Sequence, residues 1–155
     1  MKKFLLVLLT FVPIPVGYLI NRNIRTPVVG MLLFYVAPLA VTVFWFWLGN
    51  QYSKTNWGAV PSVLIGSATG FLSVALYLWQ FLGESGETRN LALAELSQMY
   101  FTATPQYLLI RLTMPFDVFG DVSSLALQVI SLVFMIAVFT AGYFWGKKHR
   151  AEKET

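Results

Sequence analysis

Cysteine is absent, histidine occurs once, and charged residues make up only 12% of the 155-residue chain. Without cysteine there can be no disulfide, thiolate metal site, Cys nucleophile or iron–sulfur cluster. The single His149 lies in the charged run Lys147–Arg150, which leaves no material for a His-based triad or a multi-His metal site. Soluble domains carry roughly 25% charged residues, so this chain has too few to cover the surface of a soluble globule. Its eleven Lys/Arg outnumber seven Asp/Glu, but they collect mainly at the two ends. A nucleic-acid-binding face needs a clustered basic patch on a folded surface, so none is expected. What the chain has in quantity is apolar surface, at 57% hydrophobic and 16% aromatic residues, with a mean hydropathy of +0.65. That composition is that of an integral membrane protein.

Charged residues divide the chain into long uncharged runs at 4–21, 26–53, 55–83 and 122–146. A helix crossing a hydrocarbon core of ~30 Å needs about 20 predominantly apolar residues. Trimming the runs at turn residues predicts four transmembrane helices near 4–21, 27–48, 60–82 and 123–145. The rest is an external loop over 83–121 and a cytoplasmic tail over 146–155. No repeat or low-complexity linker divides the chain, so residues 1–155 read as a single all-α polytopic domain.

The loop between the third and fourth spans contains a further helical segment. Within 91–112, Glu95, Gln98, Thr102 and Gln106 fall on one helix face, and Leu93, Leu96, Tyr100, Ala103 and Tyr107 on another. Such a two-faced helix fits a membrane interface. It equally fits packing on the outer ends of the bundle, and insertion as a fifth span is the remaining alternative.

Four spans with a cytoplasmic N-terminus place Lys2, Lys3, Lys54, Lys147, Lys148, Arg150 and Lys153 inside, seven of the eleven cations. Cytoplasmic Lys/Arg excess is the known orienting bias. Both termini are therefore expected on the cytoplasmic side of a cell membrane, although Arg22 and Arg25 sit on the wrong side. Trp45, Trp47, Trp57, Trp79 and Trp145 all lie toward span ends, where indole rings prefer the headgroup level. Lys2-Lys3 followed by an apolar stretch also resembles the start of a secretory signal peptide. The next residues, Pro13-Ile14-Pro15, offer no small-residue cleavage site, so an uncleaved first helix is expected.

No Asp, Glu, Lys, Arg or His falls inside the four spans. Ionisable residues within a span usually mark a site of chemistry or coupling, so no catalytic, cofactor-binding or metal-binding residue is assigned. Asp117 and Asp121 come closest to a carboxylate pair, and Asp121 reads better as a cap at the start of the fourth helix. The strongest pattern is a small-residue stripe in the third span, Ser62, Gly66, Gly70 and Ser73. Small side chains let helix backbones approach closely in lipid. Gly142-x-x-x-Gly146 is a weaker repeat of the motif. Pro13 and Pro15 remove helical N–H donors from the first span and predict a kinked or unwound helix there.

By elimination these features point to a small non-enzymatic membrane protein. The expected role is that of an accessory or regulatory subunit. It would bind a membrane-protein partner, or a second copy of itself, through helix faces and the external loop. Tyr100, Phe101 and Tyr107 are the expected contact aromatics. The alternative is a small oligomeric transporter or channel.

Overall fold

The computed structural model of the chain describes residues 3–23, 25–106 and 123–154. Every regular element among them is helical: α1 (Lys3–Leu9), α2 (Pro13–Asn23), α3 (Pro27–Ser53), α4 (Ala59–Gly66), α5 (Ala68–Leu78), a π-helical turn (Trp79–Gly83), α6 (Leu91–Thr102) and α7 (Ser124–Glu154). Three helices are long and apolar enough to cross a membrane: α1 with α2 as one segment, α3, and α7. The α4 segment and the α5–π segment meet that standard only together, and they are bent by 50° at their junction.

The two interruptions have local causes. Pro13 cannot donate to Leu9 O, so the preceding turn tightens. Thr10, Phe11 and Val12 donate to Val7, Leu8 and Leu9 carbonyls three residues back, at 3.1, 3.1 and 3.3 Å. The second interruption is at Ser67, between Gly66 and Ala68, in a stretch rich in residues that weaken a helix. Pro38, by contrast, lies inside continuous α3, and the Thr42 hydroxyl donates to the Pro38 carbonyl at 2.9 Å. Both α3 and α7 run past the expected span limits, to Ser53 and Glu154, with Gly49 and Gly146 inside them and no proline in 49–53 or 146–154 to end either helix.

The exterior is apolar, and small polar residues share the interior with the hydrophobic core. Val28 and Val43 are 72% and 70% exposed, while Ser62, Ser67, Thr69, Ser97, Thr104 and Ser131 are buried. An apolar exterior of this extent marks a surface that meets something other than water. Lipid does not reward burying Leu or Val, so the interior goes to residues that pack closest.

The most extensive helix contact is between α3 and α7. A Cβ on Gly49 would strike the Phe139 carbonyl, and one on Gly142 the Phe46 carbonyl, so the two backbones are in direct contact. Beside this seam Trp45, Tyr52, Phe139 and Tyr143 are fully buried. The Phe139 ring lies edge-on to Tyr52 at 5.2 Å and to Trp45 at 6.4 Å. Tyr143 donates its hydroxyl proton to the Trp57 carbonyl at 3.2 Å. Trp45 is therefore a core residue and no headgroup-level anchor, whereas Trp47, Trp79 and Trp145 are exposed.

The chain turns between α5 and α6 on a built connection. Asn90 N donates to Gln80 Oε1 at 2.8 Å, and Arg89 Nε donates to the Gln80 carbonyl at 2.7 Å. The Asn90 side chain then caps α6, accepting from Ala92 N and Leu93 N at 3.1 and 3.2 Å. Thus anchored, α6 doubles back along α5 and wedges between α5 and α2. It does not lie apart from the bundle.

Candidate functional site

Three features of the interior and its edge are candidates: the small-residue stripe, the place where the two broken helices meet, and a groove along α2 and α6.

All four stripe residues, Ser62, Gly66, Gly70 and Ser73, are buried within the chain's own bundle. A Cβ at Gly66 would enter the Phe139 ring of α7. At Gly70 it would lie 2.6 Å from Leu132 Cδ1 and 2.9 Å from Tyr100 Cζ, so α6 and α7 both lean on this glycine. Ser73 closes the stripe by donating to the Ser97 carbonyl of α6. The bend between Gly66 and Ala68 falls within this stripe, so the same small residues that allow close packing also permit the change of helix direction.

The two helix interruptions are bonded to each other. Thr69 Oγ1 donates to the Thr10 carbonyl at 2.8 Å and lies 3.4 Å from Thr10 Oγ1. Both threonines are 1% exposed. Nearby in sequence, the hydroxyls of Ser62 and Ser67 are buried and unpartnered among the described residues, as are Trp45 Nε1 and the Tyr100 hydroxyl. An unpaired buried hydroxyl costs roughly 1–3 kcal/mol, so each of these atoms is a local cost to the fold.

On α6 the inward face is only in part the one its hydropathy predicts. Tyr100 and Ala103 of the expected apolar face are buried, and Glu95 and Gln98 of the expected polar face are exposed, but Ala94 and Ser97 also point in, and Leu96, expected on the packed face, is 38% exposed. Thr102, expected on the polar face, is buried. The reason is the surface α6 meets. Gly17 of α2 touches the Met99 backbone, and Gly70 and Ser73 of α5 face Tyr100 and Ser97. A small-residue surface lets the incoming helix approach closely, so serines pack inward beside Met99 and Tyr100 while Leu91 and Leu96 are left outside. The buried hydroxyls avoid a desolvation penalty by donating to their own helix: Ser97 to the Ala94 carbonyl at 2.6 Å, Thr102 to that of Gln98 at 3.0 Å. Thr104 additionally meets Ser131 of α7, with the two hydroxyl oxygens 3.2 Å apart.

Of the expected contact aromatics, Tyr100 is 3% exposed, with its ring 6.2 Å from Trp45, so its side chain belongs to the core. Phe101 is half-buried. Tyr107 lies outside the described residues, as do Asp117 and Asp121. Gln128 is buried and its Oε1 is unpartnered among the described residues.

What α6 leaves outside forms the groove. A cleft of about 410 Å³ runs between Ile14, Pro15 and Tyr18 of α2 and Ala92, Leu96 and Met99 of α6, with Glu95 at its edge. A second cleft of about 390 Å³, sharing Tyr18 and Glu95, continues it toward Asn21 and Arg22. Arg22 donates to the Tyr18 hydroxyl at 2.9 Å, and Glu95 has no ion pair or hydrogen bond among the described residues. The groove is thus apolar in its first part, with the free Glu95 carboxylate at the edge, and polar where it continues past Asn21 and Arg22. Sequence reasoning placed Glu95 on a polar face but had no means of pairing it with Pro15 and Tyr18, which are almost eighty residues away along the chain.

Among the described residues no group of three His, Asp or Glu side chains is placed to hold a metal ion. No family model matches the chain, and neither a curated protein nor a solved structure matches it, so the geometry alone carries a functional reading.

Proposed function

We propose that this is a non-enzymatic integral protein of the cell membrane, an accessory or regulatory subunit that holds a transmembrane helix of a partner in the α2–α6 groove. The observation that carries the reading is the groove itself, an apolar channel with the unpaired Glu95 at its edge. Helix-in-groove recognition uses apolar anchors for affinity and a polar contact for register. A free carboxylate beside apolar walls favours a partner helix bearing Lys or Arg at the matching level. The filled aromatic interior around Trp45, Tyr52, Phe139 and Tyr143 supports binding over passage of a solute through this chain alone.

In this reading the bent α4–α5 pair counts as one span, giving four, and both termini are cytoplasmic. Single cysteines introduced near residues 3, 54, 87 and 150 test the topology with an impermeant thiol reagent in intact cells. Only the position near 87 should react, and labelling at 150 would remove the four-span arrangement. Partner binding is tested by a photo-crosslinking residue at Leu96, with Val43 on the exposed face of α3 as the comparison. A discrete protein adduct at Leu96, absent at Val43 and weakened by Glu95→Gln, is the expected result. Equal crosslinking at both positions would sink the groove as a binding site.

A second reading is favoured by one observation, the bonded helix interruptions at Thr10 and Thr69 with the unpartnered Ser67 hydroxyl in the same break. Broken helices can line a substrate or ion site. Solute flux by the purified protein in liposomes, abolished by Thr69→Val, would move the assignment to a small oligomeric transporter.

A further inference from the structure

The end of the bundle where α3 and α7 finish differs from the α2–α6 groove in both charge and shape. A cleft of about 880 Å³ opens there along α7. Its inner part is walled by Ala141, Phe144 and Trp145, and its outer part by Lys147 and Lys148, with Thr55 across from them on the α3–α4 turn. A second cleft, of about 220 Å³, shares Trp145 and Arg150 with the first and adds Lys54 and His149. No carboxylate lines either cleft among the described residues.

Arg150 separates the two clefts and is held in place. Its Nη2 donates to the Ser53 carbonyl and lies 3.1 Å from Ser53 Oγ, and its Nε donates to the Gly146 carbonyl at 3.3 Å. These bonds satisfy carbonyls at the end of α3 and tie α3 to α7 where Gly146 packs against Asn50 and Ser53. The guanidinium is therefore a fixed positive charge between two openings. Lys147 and Lys148 stay exposed on either side, with Lys147 Nζ 5.5 Å above the Tyr143 ring. Trp145 stands exposed between the apolar and basic parts, its ring 4.4 Å from that of His149 and tilted to it by 32°.

We infer that this end of the bundle is a binding site for an anionic phospholipid. The apolar wall of Ala141 and Phe144 takes an acyl chain, Trp145 sits at the level of the glycerol, and Lys147, Lys148 and the Thr55 hydroxyl take the phosphate. The order along α7, apolar then indole then ammonium, repeats the order of a phospholipid from tail to headgroup. Basic pockets between transmembrane helices are a known mode of anionic headgroup recognition. The inference rests on α3 and α7 lying in a membrane and is independent of any partner in the α2–α6 groove.

The test is native mass spectrometry of the full chain released from mild detergent. It is incubated with phosphatidylglycerol, with phosphatidylcholine of the same acyl chains, or with inorganic phosphate at equal ionic strength. Retained phosphatidylglycerol in excess of phosphatidylcholine is expected, with inorganic phosphate failing to displace it. Lys147→Gln and Lys148→Gln should each weaken phosphatidylglycerol binding about fivefold, the equivalent of ~1 kcal/mol per lysine near an anionic surface. Lys3→Gln removes the same charge at the same end, where Lys3 lies over the Trp57 ring and outside both clefts, and should leave binding unchanged. Equal retention of the two lipids would overturn the site. So would equal loss in Lys3→Gln and Lys148→Gln, which would reduce it to diffuse charge attraction. Displacement by inorganic phosphate would overturn the lipid and leave a free-phosphate site.

Discussion

The α3–α7 seam and the α6 wedge are both helix contacts built from small residues, yet they fill the space around those residues differently. In the seam, Gly49 and Gly142 bring backbone against backbone, and large aromatics fill the space beside it. In the wedge, serines and threonines face inward beside Met99 and Tyr100, their hydroxyls donating to backbone carbonyls, while Leu91 and Leu96 face outward. The first arrangement is rigid, since neither backbone can yield to an added atom. The second is held by backbone contact toward α2, where Gly17 meets Met99, and by side chains toward α5, where Gly70 meets Tyr100 and Ser73 donates to the Ser97 carbonyl, and it leaves a groove at its edge. The seam is thus closed by backbone contact at two glycines, whereas the wedge combines one backbone contact with side-chain contacts that can shift.

The sharpest way to break this contrast is Gly142→Leu. The new side chain meets the Phe46 backbone, and relaxation would require separating α3 from α7. Destabilisation of about 3 kcal/mol or more, at the top of the overpacking range, is expected as lost thermal stability in detergent. A nearly unchanged melting temperature would show that the seam is not a backbone contact.

Tyr100→Ser comes next. Emptying the site between Trp45 and Gly70 should cost roughly 3 kcal/mol, near the lower end for large aromatic truncations. The loss should appear in folding before it appears in partner capture. If Tyr100→Ser keeps its stability but loses a partner, the ring works at an interface and its core placement is wrong.

Gly66→Leu and Gly70→Leu should cost about 1–3 kcal/mol, less than Gly142→Leu, because the atoms they meet are side chains of Phe139, Leu132 and Tyr100 that can shift. Leu72→Ile, on an exposed position of α5, serves as the comparison and should change little. A Gly66→Leu penalty equal to that of Gly142→Leu would erase the distinction between side-chain and backbone contacts.

The smallest effect is expected for Tyr100→Phe. The hydroxyl is buried and unpartnered among the described residues, so its removal should leave the thermal midpoint unchanged or raise it slightly. A clear loss of stability would reveal a hydrogen bond from that oxygen.

Much of this was legible in the amino-acid order, and the failures have a common origin. The apolar runs needed no knowledge of neighbours, since the length of a helix and the cost of a charge in hydrocarbon are properties of each segment. The break before Pro13 was legible for the same reason, as a missing N–H acts on its own helix. Gly49 gave no signal, because one glycine in α3 means nothing until Phe139 is known to lie across from it. The inward face of α6 was only partly legible from hydropathy, which assumes that the most apolar face is the buried one: Tyr100 and Ala103 are buried and Glu95 and Gln98 exposed as expected. In an apolar exterior that assumption weakens, and Leu96 lies outside while Thr102 lies inside.

From its sequence alone, then, this chain is committed to helices that are long, apolar and without ionisable groups along their spans. Free energy of transfer and backbone hydrogen bonding act locally and are additive along a segment. Only the tertiary structure decided which small residues meet, which way α6 turns, and that Glu95 stands beside Pro15 and Tyr18. Those outcomes depend on shape matching between distant segments, where a single atom at Gly17 or Gly142 determines whether two backbones can touch.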